Sequence, residues 1–340
     1  MAATRFQKFG NDLYTGARSI DFVGKRKIWY SIAIVMIVAA VIIPIVKGGF
    51  NFGIDFRGGS QFTVSDVTTV DQSLATKAVH EVKPDATVQV SVTNGTGGKG
   101  IRVQTDQLTT NQTKAVAAGL GGAYGVPQSK VASTYIGPSW GADVSRQAIQ
   151  GLVVFLLLAF IAMALYFRTW KMSAAAIVSL FHDLIITAGI YALVGFEITP
   201  ATMIGFLTIL GYSLYDTVVV FDKIRENTRQ DKDAVKHTFA ESVNLAVNQT
   251  LVRSINTAVV AALPVAAILF IGAFVLGADT LRDISLALFI GILIGTYSTI
   301  FIAAPLYADF RKGEKEIVKH DRKVLATRSK APVSEAVPVK

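Results

Sequence analysis

A few ionisable side chains stand where ionisable side chains are costly. Asp216 lies inside an apolar stretch from Ala201 to Phe221, with the polar run Asp222-Lys223-Ile224-Arg225-Glu226-Asn227 directly after it. A carboxylate at that depth costs roughly 2.5–3.5 kcal/mol on insertion scales, so it is seldom there without a partner or a task. His182 and Asp183 fall near the middle of another apolar stretch, about 15 Å from its N-terminal end. Arg253 opens a third, in Arg253-Ser-Ile-Asn-Thr257. A buried Asp with an Arg nearby is a charge pair that one proton reverses, neutralising the carboxyl and freeing the guanidinium, which changes helix packing. Each charge crossing a membrane supplies ~2.3 kcal/mol per 100 mV, so a few protons per cycle could drive a domain rearrangement. The pattern points to a proton-handling membrane protein.

Plainer readings of the same residues stand beside this one. Asp216 could be structural, bonded to Ser213, Tyr215 or a neighbouring helix. Arg253 could snorkel to the interface. His182 and Asp183 could form an interhelical hydrogen-bonding pair or a relay. Asp222, Arg225 and Glu226 read as surface salt bridges and interface anchors. Gly205, Gly211, Gly291 and Gly295 read as points of close helix packing, the last two as Gly-xxx-Gly.

The elements that must hold these residues are membrane spans. Of 340 residues, 51% are hydrophobic and 17% charged, a balance that places the chain in the bilayer. Six segments are long and apolar enough to cross it, at 28–46, 148–167, 173–194, 201–221, 256–276 and 284–307. The first is too long for a cleaved signal core and no small-residue cleavage site follows it. The net charge of +9 is distributed along the span flanks and the tail, which argues orientation rather than nucleic-acid binding. Lys and Arg crowd segment 1–27, the link after span two, the link after span four and the tail. Gly195–Pro200 has none and Gly277–Asp283 only Arg282. Both termini are therefore expected in the cytoplasm, with 47–147 outside. The absence of cysteine excludes disulfides and thiolate metal sites. No Gly-x-x-x-x-Gly-Lys-Ser/Thr and no His-Glu-x-x-His occurs, so ATPase and metalloprotease readings lack their motifs. Neither metal nor cofactor is expected, and no enzymatic activity.

The outer segment reads as β-α-β-β-α-β. Strands are expected at 61–65, 87–93, 100–105 and 130–136, helices at 71–82 and 109–120, and a turn at Asn94-Gly95-Thr96-Gly97-Gly98. This order predicts a ferredoxin-like α+β domain between spans one and two of a six-helix membrane protein. Link 222–255 carries an amphipathic helix around 233–251, expected along the membrane surface. The polar, basic tail 309–340, ending Ala331-Pro-Val-Ser-Glu-Ala-Val-Pro338, is expected to be disordered.

Gly53-Ile-Asp-Phe-Arg-Gly-Gly59 after the first span resembles the Asp-Phe-x-Gly-Gly motif of the SecD/SecF family. Phe181-His-Asp183, the string Gly211-Tyr-Ser-Leu-Tyr-Asp-Thr-Val-Val-Val-Phe-Asp-Lys-Ile-Arg-Glu-Asn227 and Arg253-Ser-Ile-Asn256 resemble motifs of its SecF branch. Tyr215 stands where many members have Asn. The resemblance implies membership of the resistance-nodulation-division superfamily, as one six-span half beside a SecD half. It implies an accessory of the Sec protein-export machinery in the cell membrane, working on a translocating polypeptide at the SecYEG channel, indirectly with SecA, using the proton-motive force. Carried over by motif, Asp216 would titrate, Arg253 would be its charged partner, and Asp183 would lie on the same path. Gly53, Asp55, Phe56, Gly58 and Gly59 would form a structural motif whose glycines set either a hinge or a tight turn. Expected partners are thus SecD, SecYEG and membrane lipid, with no nucleic acid. Two other classes remain: a half-transporter exporting small molecules or lipids, and a scaffold in which the charges are replaceable.

Overall fold

A computed structural model describes residues 2–95, 98–234, 236–274 and 279–330. Helix α1 (Ala2–Thr15) precedes the first long apolar helix, α2 (Arg26–Val46). A one-turn helix α3 (Ile54–Arg57) then leads into β1 (Gly59–Val64), α4 (Gln72–His80), β2 (Val88–Gly95), β3 (Gly98–Thr105), α5 (Thr110–Tyr124) and β4 (Val131–Ile136). Five further long helices follow: α6 (Pro138–Phe167), α7 (Trp170–Val194), α8 (Pro200–Ala234), α9 (Phe239–Phe274) and α10 (Asp279–Ser298). The last continues through a π-helical turn, Thr299–Ala303, into α11 (Ala304–Arg311), and α12 (Lys315–Lys330) closes the described chain. Among the described residues, six helices are thus long and apolar enough to cross a membrane, as expected.

The sheet order is β2-β3-β1-β4, all antiparallel, the arrangement of the split β-α-β unit. Phe62, Val64, Ile101 and Val103 alternate onto one face and meet Val79, Val116 and Leu120 of the two helices, all fully buried. Local chemistry sets the helix ends. The Asp71 carboxylate accepts from Ser73 N at 2.9 Å before α4, and Thr109 with Gln112 forms a capping box before α5. Of the expected turn between β2 and β3, Thr96 and Gly97 lie outside the described residues.

In the bundle, α8 and α10 approach through small residues. A Cβ on Gly205 would stand 2.6 Å from Ala287 Cβ, and one on Gly291 would overlap Ile209. A Cβ on Gly295 would stand 3.0 Å from Ser213 Cβ. Gly211, expected to do the same, faces open space instead. It lies on the other side of α8 from the Gly291–Gly295 contact.

Three expectations are corrected. Helix α8 runs on to Ala234, because hydropathy marks where lipid ends and not where helix ends, and 222–234 holds good helix formers. The amphipathic stretch 233–251 is not a separate surface helix. From Phe239 it is the first half of α9, which is continuous with span five. Its apolar side, Phe239, Val243, Ala246, Val247 and Leu251, is buried in the main helical core. The tail is not disordered throughout. Residues 315–330 form α12, which buries Ile317 and Val324 two turns apart and is tied down by Asp321 accepting from Phe239 N and by Arg328 pairing with Glu241 at 2.7 Å. The Ala331–Pro338 stretch lies outside the described residues.

Candidate functional site: an intramembrane polar cluster

The polar residues of spans three to six meet inside the bundle. Ser213, Asp216, Thr217 and Val220 share one stripe of α8 by their spacing, and all are buried. Asp183 on α7 is fully buried, and both its carboxylate oxygens are engaged. Oδ2 accepts from Ser213 Oγ at 2.6 Å and Oδ1 lies 3.1 Å from His182 Nδ1. The His182–Asp183 pair is therefore neighbour-to-neighbour, while Ser213 supplies the bond across helices. Thr217 Oγ1 lies 2.9 Å from Thr299 Oγ1, in the π-helical turn of span six.

Asp216 is held differently. Its Oδ1 accepts from Ser254 Oγ of α9 at 2.8 Å, and its Oδ2 has no hydrogen-bond partner among the described residues. Several other buried polar atoms are left the same way among the described residues, Ser173 Oγ and Ser179 Oγ of α7 included, and two of them, His182 Nε2 and the Tyr297 hydroxyl, sit on rings 6.1 Å apart. Unsatisfied buried polar atoms are uncommon and mark either strain or chemistry. Arg253 does not touch Asp216. It is exposed, forms no ion pair among the described residues and acts on the carboxylate only through space. One residue along a helix turns the side chain by about 100°, so Ser254 faces Asp216 while Arg253 opens onto a cavity of about 240 Å³ with Asp222 and Glu226. Of the surface salt bridges expected after span four, Lys223 pairs with Glu226 at 3.0 Å, whereas Asp222 has no ion pair among the described residues.

Spacing alone did not pick out Ser254, Thr217, Thr299 or Tyr297 as members of this cluster. Their only sequence signal is that hydroxyls recur on spans that also hold a carboxylate.

The glycine motif forms a joint outside the spans. Gly53 N donates to Ile198 O at 3.0 Å and Ile198 N donates to Asn51 O at 2.8 Å, fastening the chain after α2 to the link between α7 and α8. Gly58 and Gly59 have φ of 73° and 143°, and a Cβ on Gly59 would strike Thr105 O of β3. The pair therefore makes a tight turn against the sheet. The Phe56 carbonyl stands 2.6 Å from where a Cβ on Gly141 of α6 would be, so α3 also sits on span two. The polar face of the sheet closes the joint: Gln104 Nε2 donates to Glu197 Oε1 at 2.7 Å, and Arg102 lies 3.7 Å from Glu197 Oε2. Burial pushes the Asp55 carboxyl above its usual range, opposed by its own backbone and by Arg102. Burial likewise lowers Arg102, opposed by Glu197. Among the described residues, no three His, Asp or Glu side chains come together as metal ligands.

Comparison with known proteins identifies the surroundings of this cluster. Residues 122–313 match the family described as protein export membrane protein SecD/SecF, C-terminal, and residues 45–65 match the SecD/SecF GG motif. The chain is 45% identical to the protein translocase subunit SecF of Streptomyces coelicolor, over 94% of this chain and 84% of that one. It is 40% identical to the SecF subunit of Mycobacterium tuberculosis strain CDC 1551, over 94% of this chain and 74% of that one. The crystal structure of SecDF from Thermus thermophilus, titled a translocon-associated membrane protein, superposes with a TM-score of 0.73 at 30% identity. That match covers 86% of this chain and 39% of the longer SecDF chain.

Proposed function

The chain belongs to the SecD/SecF family of protein-export membrane proteins, and we propose that it is the SecF-type half of a proton-driven export accessory. In this reading it is not an enzyme. Asp216 takes up and releases a proton within the bundle, and the helices that frame it pass the change to the outer domain. The observation that carries the reading is the state of Asp216: buried, held by one hydroxyl through Oδ1, with Oδ2 unpartnered. A carboxylate locked by an arginine on both oxygens would resist protonation, and this one is not locked.

The chain spans about two fifths of the SecDF chain that it matches, which supports a second, SecD half as its partner. That SecDF is a translocon-associated membrane protein supports work beside a translocation channel. In this reading the channel is SecYEG, and the chain acts late, after SecA, on a polypeptide already threaded through it. Lys and Arg gathered at the ends of spans two and four and in the terminal segments support a cell-membrane orientation with both termini cytoplasmic and the sheet domain outside. The joint at Gly53 and Glu197 ties that domain to the α7–α8 link. A shift of α7 or α8 would then move the sheet as one body.

Asp216→Asn tests the reading in proteoliposomes containing the partner half, the channel and a secreted substrate. The expected result is a folded, assembled complex whose secretion no longer responds to an imposed proton gradient. Secretion stimulated by the gradient as in the parent would remove Asp216 from the mechanism.

A further inference from the structure

At the end of the bundle away from the sheet, a cavity of about 450 Å³ opens between the α6–α7 link, α8, α9, α11 and α12. Its floor is apolar and aromatic, made by Phe167, Met172, Phe239 and Tyr307, all buried. Its rim carries Arg168, Arg225, Arg229 and Arg311, against a single lining carboxylate, Glu316. Some cations at this end are matched, Arg26 with Asp309 at 3.1 Å, Arg328 with Glu241 at 2.7 Å and, on the rim itself, Arg311 with Glu314 at 2.6 Å. Arg168 and Arg229 have no hydrogen bond or ion pair among the described residues, and Arg225 gives only one N–H, to Tyr166 O at 3.4 Å. Arg225 and Arg229 also border Asp222 and Glu226 along α8, but guanidiniums cannot shed their charge, and three of them around one cavity suit an anion.

Position says which anion. Arg168 and Thr169 are the whole link between spans two and three, and Arg168 holds the left-handed conformation that ends α6 (φ 54°). A two-residue link between spans places the cavity at the bilayer boundary, where exposed Tyr166 and Trp170 flank it as interface aromatics. Leu158, Ile161 and Leu165 are exposed along one side of α6 at spacings of three and four residues, an apolar track running from the cavity rim into the membrane. Guanidinium pairs fit phosphate oxygens bidentately, and basic pockets between spans suit phospholipid headgroups.

We propose that this cavity binds the phosphodiester headgroup of an anionic phospholipid, with its chains laid along α6. The site is independent of the proton chemistry at Asp216.

Native mass spectrometry of the full chain in detergent tests it, with phosphatidylglycerol titrated against phosphatidylcholine. The expected result is a phosphatidylglycerol adduct that phosphatidylcholine does not displace, weakened roughly tenfold or more in Arg168→Gln/Arg229→Gln. Because both side chains are exposed and unbonded, the variant should melt with the parent. The Arg168→Lys/Arg229→Lys protein, with the same charge, should keep most of the preference. Equal binding of the two lipids, or equal loss in the Gln and Lys pairs, would overturn the assignment. Displacement of the lipid by millimolar inorganic phosphate would also overturn it, making the ligand a soluble phosphate.

Discussion

The contact of span three with span four and that of span four with span five each bury one carboxylate, and they treat it in opposite ways. Asp183 spends both oxygens, on Ser213 and on His182. Asp216, one turn along α8 from Ser213, spends one oxygen on Ser254 and leaves the other bare. In the proposed function, the difference separates a side chain that ties helices together from one free to change state. Breaking a saturated buried carboxylate orphans its donors, whereas changing a half-used one disturbs little.

The strongest test of this contrast is stability. Asp183→Ala should cost about 3 kcal/mol or more, because it strips the partners from Ser213 and His182 in one step, and it should show as a large drop in melting temperature in detergent. A drop no greater than that of Asp216→Ala would erase the distinction. Next in size, Ser213→Ala should cost about 1–2 kcal/mol by uncovering an Asp183 oxygen, while Ser254→Ala should cost less and shift instead the pH at which gradient-driven secretion is half-maximal. Smaller again, Thr109→Ala in the sheet domain removes one cap and should lower stability by about 1 kcal/mol without touching the secretion response, which calibrates the membrane variants. The subtlest effect belongs to the joint. Because burial raises Asp55 in the folded chain, its contribution is fully present below the unfolded value and is lost as pH rises through the raised one. Asp55→Asn should therefore flatten the fall in melting temperature with rising pH across the weakly acidic range. An unchanged slope would show that Asp55 does not titrate with folding.

Much of this architecture was legible before any coordinates. Runs of twenty apolar residues can do little but span, and the β-α-β-β-α-β order carried its sheet pairing with it. Asp216 and Asp183 were found because lipid makes charge conspicuous. Their hydroxyl partners were not assigned correctly: Ser213, considered for Asp216, serves Asp183, because only the rotation of each helix decides which hydroxyl meets which carboxylate. The same limit hid α12. Its two buried side chains, Ile317 and Val324, are too sparse to signal a helix, and its hold on the bundle comes from Glu241 and Phe239, some eighty residues earlier. Arg253 shows the converse. Its charge made it legible, yet it reaches Asp216 only through space while the neighbouring Ser254 makes the hydrogen bond.

Pro305 has no N–H to give the Phe301 carbonyl four residues before it, and its ring would collide with that oxygen. The turn ahead of it is widened instead, with Ala304 N–H reaching back five residues to Thr299 O. One surplus residue in a turn twists everything beyond it by about 100°, and it is this offset that lets Thr299 look inward at Thr217 while Tyr307 still meets Phe239 edge to face. Deleting Ile300 would thus act like a mis-cut thread on a screw: both pieces of span six would stay helical, and one of the two contacts would have to let go.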